Sequence, residues 1–487
     1  MKGIQTLLLT FCVSYLSACS FAPKPHRPEM PIPQKYKEAI HWVVVKPTIA
    51  VKTKHCHWWM VYKDPVLNDL EVQLTRTNPT LNEAFERFQE ARAMAQAARS
   101  QLYPTILGFG SGSRQGNSDT IANVYSGTQL LYNTFTMQSL LSYEVDVWGQ
   151  VRNTVSATTH AARASEFDMA SMDLSLHASL AEIYFQLQGE NEQQAVLDRI
   201  VAAYEHALFL THQLHIGGAV SAFEEDQAVN LVEQAKTNAT NMQLSRAKLQ
   251  HALAVLVGAI PANFTVPTFK TPRHFVVVSP ELPSSLLKQR PDVAAALERV
   301  QSANATIGVA RAAFFPLFTI TSMLGLQTQN TANLFSRPSL IWGLGPASGI
   351  NMIPPQVNQI LFDGYYLQAN LKHAKASYYE AVNNYRQTVL TAYKDVEDSL
   401  VETFRLHQEI NSQAAATRAA FRAVYQVNQR MWNGMNTYLN VVGPETQALQ
   451  TKFMLLQLKI DGQLASVHLI RALGGGWDIH QAMRSKI

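Results

Sequence analysis

Residues 79–104 read PTLNEAFERFQEARAMAQAARSQLYP, and residues 291–316 read PDVAAALERVQSANATIGVARAAFFP. The two align without a gap at an offset of 212, with ten identities in 26 positions: Pro79/Pro291, Ala84/Ala296, Glu86/Glu298, Arg87/Arg299, Gln89/Gln301, Ala91/Ala303, Ala93/Ala305, Ala98/Ala310, Arg99/Arg311 and Pro104/Pro316. Self-similarity at a fixed offset marks an internal repeat. Further along, Gly149 matches Gly364 at 215, while Gly218 matches Gly434 and Gly258 matches Gly474 at 216. The chain is written twice, in units of about 200 residues, although its 487 residues would by length alone suggest about three domains.

Each unit follows one grammar. Residues 81–102, rich in Ala, Glu, Gln and Arg, predict a helix stopped by Pro104; the twin helix, 291–314, starts on Pro291 and is stopped by Pro316. Behind each stop the hydrophobic period changes from about 3.6 to 2, predicting strands near 105–114, 137–148, 316–328 and 339–349. Leu107 and Phe109 alternate with glycines, Phe318, Ile320, Leu324 and Leu326 share one face, and so do Leu340, Trp342 and Leu344. Long helices follow over 152–216, with Gly189 as its weak point, and over 365–433, and return helices over 222–257 and 444–473. At 1.5 Å per residue a helix of about 65 residues is roughly 100 Å long, too long for a compact domain. A short helix and a return helix together match one long helix, so each unit predicts two rods of equal length. Four strands cannot close a membrane barrel, whose minimum is about eight, and an open sheet in lipid leaves backbone groups unpaired. The barrel must be shared between chains, and periodicity leaves both eight strands from two copies and twelve from three open.

Charged residues make up 16% of the chain, against about 25% in an average soluble domain, and the net charge is +4. That balance argues against a nucleic-acid partner. Hydrophobic residues are an ordinary 47%, and no run of about 18 apolar residues marks a membrane-spanning helix after the start. Residues 1–18 read as a secretory signal, one basic residue and then an apolar stretch. It ends in Leu16-Ser17-Ala18-Cys19, a lipoprotein box that would make Cys19 the acylated first residue; Ser20 behind it favours the outer membrane. Residues 19–63 are Pro-rich without helical period and read as an extended tether. Cys56 is then the one free thiol, and His55-Cys56-His57 reads as a turn rather than a metal site because adjacent residues splay apart.

The chain resembles the TolC-like outer-membrane efflux factors, in particular the lipoprotein branch serving resistance-nodulation-division pumps. The resemblance rests on Trp59-x2-Tyr62-x-Asp64-Pro65-x-Leu67, Gln101-Leu102-Tyr103-Pro104, Tyr143-Glu144-Val145-Asp146-Val147-Trp148-Gly149 and Leu286-x2-Gln289-Arg290-Pro291-Asp292. It also rests on Ala310-Arg311-Ala312-Ala313-Phe314-Phe315-Pro316, Phe362-Asp363-Gly364 and Leu473-Gly474-Gly475-Gly476-Trp477. It implies a mainly α protomer with a transmembrane β portion, trimerising into a twelve-stranded outer-membrane β-barrel continued by a periplasmic α-helical barrel. It further implies a periplasmic membrane-fusion adaptor and an inner-membrane pump as partners, outer-membrane lipids as surroundings, and no cofactor. In this reading residues 64–282 and 283–477 are the two efflux repeats and 478–487 a tail. Two departures stand out. Where the family has a gate Asp after the second turn, this chain has Gly443, with Leu439 retained and Pro444 expected to disturb the helix. About nine extra residues, including Pro354-Pro355, also stand between Trp342 and Phe362.

The candidate gate therefore comprises Gly218, Phe223, Glu224, Glu225 and Asp226 at the first turn and Arg430, Gly434, Leu439 and Gly443 at the second. In a trimer Glu224, Glu225 and Asp226 become a ring of carboxylates favouring cations, a substitute for the missing Asp; alternatively they suit the positive end of the return helix. His212 and His215, one turn apart nearby, read as a pH sensor or, more simply, an exposed helix face. Enzyme motifs are weak: Gly343-x-Gly345-x3-Gly349 lacks the strand-loop-helix context of a nucleotide loop. The expected function is the exit duct of a tripartite efflux system for small toxic compounds or drugs, with a protein-secretion duct or a passive periplasmic scaffold as alternatives.

Overall fold

The computed structural model describes residues 21–24, 27–31, 33, 35–38, 57–116, 118, 131–267, 289–344, 356–435 and 437–477. The signal, Cys19, Cys56, the tail and Pro354-Pro355 lie outside them. The chain forms two compact units, one from Met1–Glu29, Arg87–Ser165 and Ala296–Tyr385, the other from Met30–Glu86, Glu166–Ala295 and Arg386–Ile487. Each draws on both sequence repeats. No described helix is long and apolar enough to cross a membrane.

The helices are α1 (Pro65–Thr77), α2 (Pro79–Ser100), α3 (Gln150–Ile216), α4 (Ala222–Leu256), α5 (Pro291–Ala312), α6 (Tyr366–Trp432) and α7 (Leu439–Ala472). The strands are β1 (Thr105–Gly116), β2 (Leu131–Val145), β3 (Leu317–Thr328), β4 (Leu340–Leu344) and β5 (Gln356–Asn358). Three expectations are corrected. Strand β2 starts at Leu131 rather than near 137, because Leu131 to Thr136 continue the ladder opposite Ser111 to Gly116. Helix α7 starts at Leu439, not 444, and carries Pro444 inside it. Pro444 is the sixth residue of α7, past the amides that need no intrahelical partner, so its missing N–H costs one intrahelical bond in the second turn. Gly189 does not weaken α3: a Cβ there would lie 2.1 Å from Ile460 Cγ1, so the glycine seats α7 against α3.

In the first unit the sheet runs antiparallel in the order β1-β2-β3-β4, with β5 also on β3. Among the described residues five strands fill four positions, where four strands were expected. Strand β4 pairs Leu344 with Ser322, and β5 pairs Gln356 with Thr319 on the same edge. Eleven residues separate Leu344 from Gln356 in sequence, whereas two separate their partners Ser322 and Thr319, so the nine-residue excess falls between β4 and β5. Opposed residues share a face. Met137, Leu141, Ile320, Leu324, Leu326, Leu340 and Trp342 therefore lie on one side, whereas β1 turns its glycines there and Leu107 and Phe109 to the other. Phe135 lies over Gly112, where a Cβ would meet its ring at 3.3 Å. Behind the strands Phe21 stacks on Phe315 (centroids 4.5 Å apart, planes at 5°) beside Trp148, whose Nε1 donates to the Pro316 carbonyl at 2.8 Å. Arg311 Nη1 and Asn304 Nδ2 donate to the carbonyls of Phe21 (3.1 Å) and Pro23 (2.8 Å). Phe21 and Pro23, near the start of the expected tether, are thus docked.

The second unit is knit by capped helix ends and small-residue contacts. Asp64 caps α1, accepting from the Val66 and Leu67 amides, and accepts a 2.7 Å bond from Tyr184 Oη. Arg290 donates to Asp292, to Asp395 and to the Ala472 carbonyl, joining the start of α5 to α6 and α7. Further along, Val196 and Ile200 of α3, Ala235 of α4 and Leu449 and Leu456 of α7 form one buried cluster. Each large aliphatic side chain there contributes about 1.5–3 kcal/mol through burial.

Candidate functional site: two helical hairpins

The candidate gate residues occupy two hairpins of the second unit that repeat one local design. Helix α3 stops because Gly218 takes φ +71° and the Gly218 and Ala219 amides fold back onto the carbonyls of His215 (2.9 Å) and Leu214 (2.8 Å). Helix α6 stops in the same way at Gly434, φ +72°, with the Met435 amide on the Arg430 carbonyl at 2.8 Å. The three glycine pairs of the repeat, 149/364, 218/434 and 258/474, all sit at positive φ.

At the first hairpin the three acids part company. Glu224 turns back to the helix start, accepting from the Ser221 amide at 3.0 Å and from the Ser221 hydroxyl, a capping box. The Ser221 hydrogen bonds hold the Glu224 carboxyl below its ordinary pKa. Glu225 instead crosses the hairpin: its Oε1 lies 2.7 Å from His212 Nδ1 and its Oε2 3.8 Å from His215 Nε2. His215 Nδ1 is 3.1 Å from the Val220 carbonyl. Asp226 is exposed, as is Phe223 at the helix start. The link from His212 and His215 to Glu225 is more than the plain exposed face that sequence suggested, and its signal was the His-x2-His spacing one turn before a Gly-Gly turn and an acidic run.

At the second hairpin the Arg430 side chain is exposed and Leu439 is at the edge of exposure. Tyr438 meets His206 of α3 edge to face at 4.3 Å. A Cβ on Gly443 would touch nothing within 4 Å. Ile216, Phe223, Trp432 and Met435 leave apolar surface uncovered at both hairpin ends. No three His, Cys, Asp or Glu side chains among the described residues stand in a metal-holding array.

Comparison with known proteins agrees with this architecture. A family model for outer membrane efflux proteins matches residues 71–259 and 282–475. The cation efflux system protein CusC of Escherichia coli O6:H1 is 29% identical over 96% of this chain and 98% of its own length. Outer membrane protein OprJ of Pseudomonas aeruginosa is 27% identical over 99% of both chains. The toluene efflux pump outer membrane protein TtgF of Pseudomonas putida is 28% identical over 98% of both. Among solved structures, the Campylobacter jejuni CmeC outer membrane channel superposes with a TM-score of 0.83 at 23% identity, covering 96% of this chain and 98% of that one. CusC superposes with a TM-score of 0.77 at 25% identity, covering 94% and 100%.

Proposed function

Since the chain belongs to the outer membrane efflux protein family, we propose that it is the exit duct of a tripartite efflux system, assembled as a homotrimer and docked to a periplasmic adaptor and an inner-membrane pump. The observation that carries this reading is a sheet open at both ends. Its order ends on β1 and β4, each with one edge that no described strand covers, and β1 to β3 are 12 to 15 residues long, more than the ~10 that span an outer membrane. In lipid such edges must be paired, and three copies supply twelve strand positions around a bore wide enough for water and solutes. The apolar face of β2, β3 and β4 then meets lipid, and Phe21, two residues after Cys19, the acylated residue of this reading, is docked on Phe315.

In a threefold assembly the hairpins gather around one axis, and Phe223, Glu224, Glu225, Asp226, Leu439 and Gly443 form the gate, with Gly218, Arg430 and Gly434 shaping its turns. Glu224 is committed to the helix cap, which favours the helix-end role for that acid; Glu225 and Asp226 carry the cation preference of the ring. The relatives are named for cations and for toluene, so the cargo class is small toxic compounds, set by the pump rather than by the duct. A deletion strain exposed to dyes, detergents, antibiotics and metals tests the reading. Sensitivity restored by the wild-type gene supports efflux, whereas a changed secretome with unchanged sensitivity points to protein secretion instead.

A further inference from the structure

We propose that Glu86 and Glu90 of one copy form ion pairs with Lys375 and Lys372 of the partner subunit, at a contact that repeats between copies the one that α5 makes with α3 inside the chain. The inference rests on the homotrimer proposed above and names residues on both sides of its subunit contact. The repeat is kept in the fold as well as in the sequence: α2 and α5 both have 22 residues, and α3 and α6 both have 67. At an offset of 212 Glu86 is the twin of Glu298, and Glu90 of Ser302. At 215, the offset of Gly149 and Gly364 just before α3 and α6, Lys375 is the twin of His160 and Lys372 of Ala157. Inside the chain these twins meet. His160 Nδ1 lies 2.6 Å from Glu298 Oε2, and the Ser302 hydroxyl donates to the Ala157 carbonyl at 2.8 Å. The short helix of the second repeat is thereby seated on the long helix of the first.

Closing a ring from copies of a two-repeat chain takes the same step once more, head to tail: the short helix of the first repeat in one copy meets the long helix of the second repeat in another. The sheet follows the same rule, since β2 of the first repeat pairs with β3 of the second, which leaves β1 and β4 as the edges that copies share. Charge supports the match. Glu86 and Glu90 stand four residues apart on α2, and Lys372 and Lys375 three apart on α6, so each pair shares a helix face. All four are exposed in the single chain, and none has a hydrogen-bond or ion-pair partner among the described residues. The in-chain seat uses one His–Glu contact and one hydroxyl. Between copies, acids on one helix oppose lysines on the other at both positions, a pattern that fixes register and rejects wrong neighbours more than it adds affinity.

The test is charge reversal in the purified full-length protein in detergent, reading by native electrophoresis the rate at which the trimer dissociates at one fixed, elevated temperature. Each reversal puts like charges at every subunit contact of the ring. Glu86→Lys and Lys375→Glu should each speed dissociation at least about tenfold, and the double variant Glu86→Lys/Lys375→Glu should return the rate to within about threefold of wild type. Glu90→Lys, Lys372→Glu and their double variant should follow the same pattern. A wild-type trimer whose single reversals dissociate at the wild-type rate, or whose double variants are as fast as the single effects multiplied, would overturn the pairing and leave the trimer standing. A wild-type protein that is a single chain in detergent would overturn both.

Discussion

His177 Nδ1 lies 2.5 Å from Glu71 Oε2, both side chains are buried, and the imidazole stacks on Trp59 at 4.3 Å. The pair joins α1 to the middle of α3, with Asp173 and Thr75 both 3.3 Å from the other ring nitrogen. Burial pushes Glu71 up to about 7. Burial opposes charge on His177, but hydrogen bonds to Asp173 and Glu71 outweigh it and raise its pKa to about 9. Both groups hold protons more tightly in the folded state than when unfolded. Stability linked to the pair is therefore greatest at low pH and is lost as pH rises, for Glu71 between 4.5 and about 7 and for His177 from 6.5 through about 9. Thermal unfolding should show Tm falling across that window, with a shallower fall in Glu71→Gln. His177→Ala, which strands Glu71 in the interior, should cost about 3–5 kcal/mol at neutral pH.

Gly189 and Ile460 are a matched pair across α3 and α7. Gly189→Ala should destabilise by about 1–3 kcal/mol through overpacking, despite the better helix propensity of alanine. Adding Ile460→Ala opens the space, so the double variant should lose less than the two single losses summed. Additive losses in denaturant titrations would show that the two positions do not press on each other.

Gly443 sits where a side chain meets open space, five residues into α7. Gly443→Asp should leave stability within about 0.5–1 kcal/mol, since aspartate is no worse than glycine in a helix and sits near its positive end. In planar bilayers the variant should pass smaller currents than the wild type; equal currents would remove Gly443 from the gate.

Phe21 stacks on Phe315, and Arg311 Nη1 donates to its carbonyl. Phe21→Ala removes a stacked pair worth about 0.5–1.5 kcal/mol beyond its buried area. A glutamate-specific endoprotease should then cut after Glu29 several-fold faster, with cutting elsewhere unchanged.

Much of the molecule was legible because its punctuation is chemical. The duplicated prolines and glycines mark helix starts and stops, and the glycine pairs recur at positive φ because only glycine takes it without strain. The strands were legible as period two, but not the face that β1 presents, which depends on pairing register rather than on its own alternation. Pro444 misled because proline usually stops a helix, whereas α7 forms on both sides of it at the cost of one bond in its second turn. At the hairpin the acids were visible, but their division into a cap and a bridge to His212 and His215 depends on how tightly the Gly217-Gly218 turn brings α4 back beside α3. The docking of Phe21 and Pro23 escaped because prolines predict extended backbone, and docked and free segments are both extended.

The central claim, that three chains share one conducting barrel, is tested most directly by single-channel recording of the purified acylated protein in planar bilayers. Discrete, long-lived conductance steps from a particle shown by mass to hold three chains are the predicted result. A membrane-bound protein that conducts at no applied voltage, or one that remains a single chain, would contradict it.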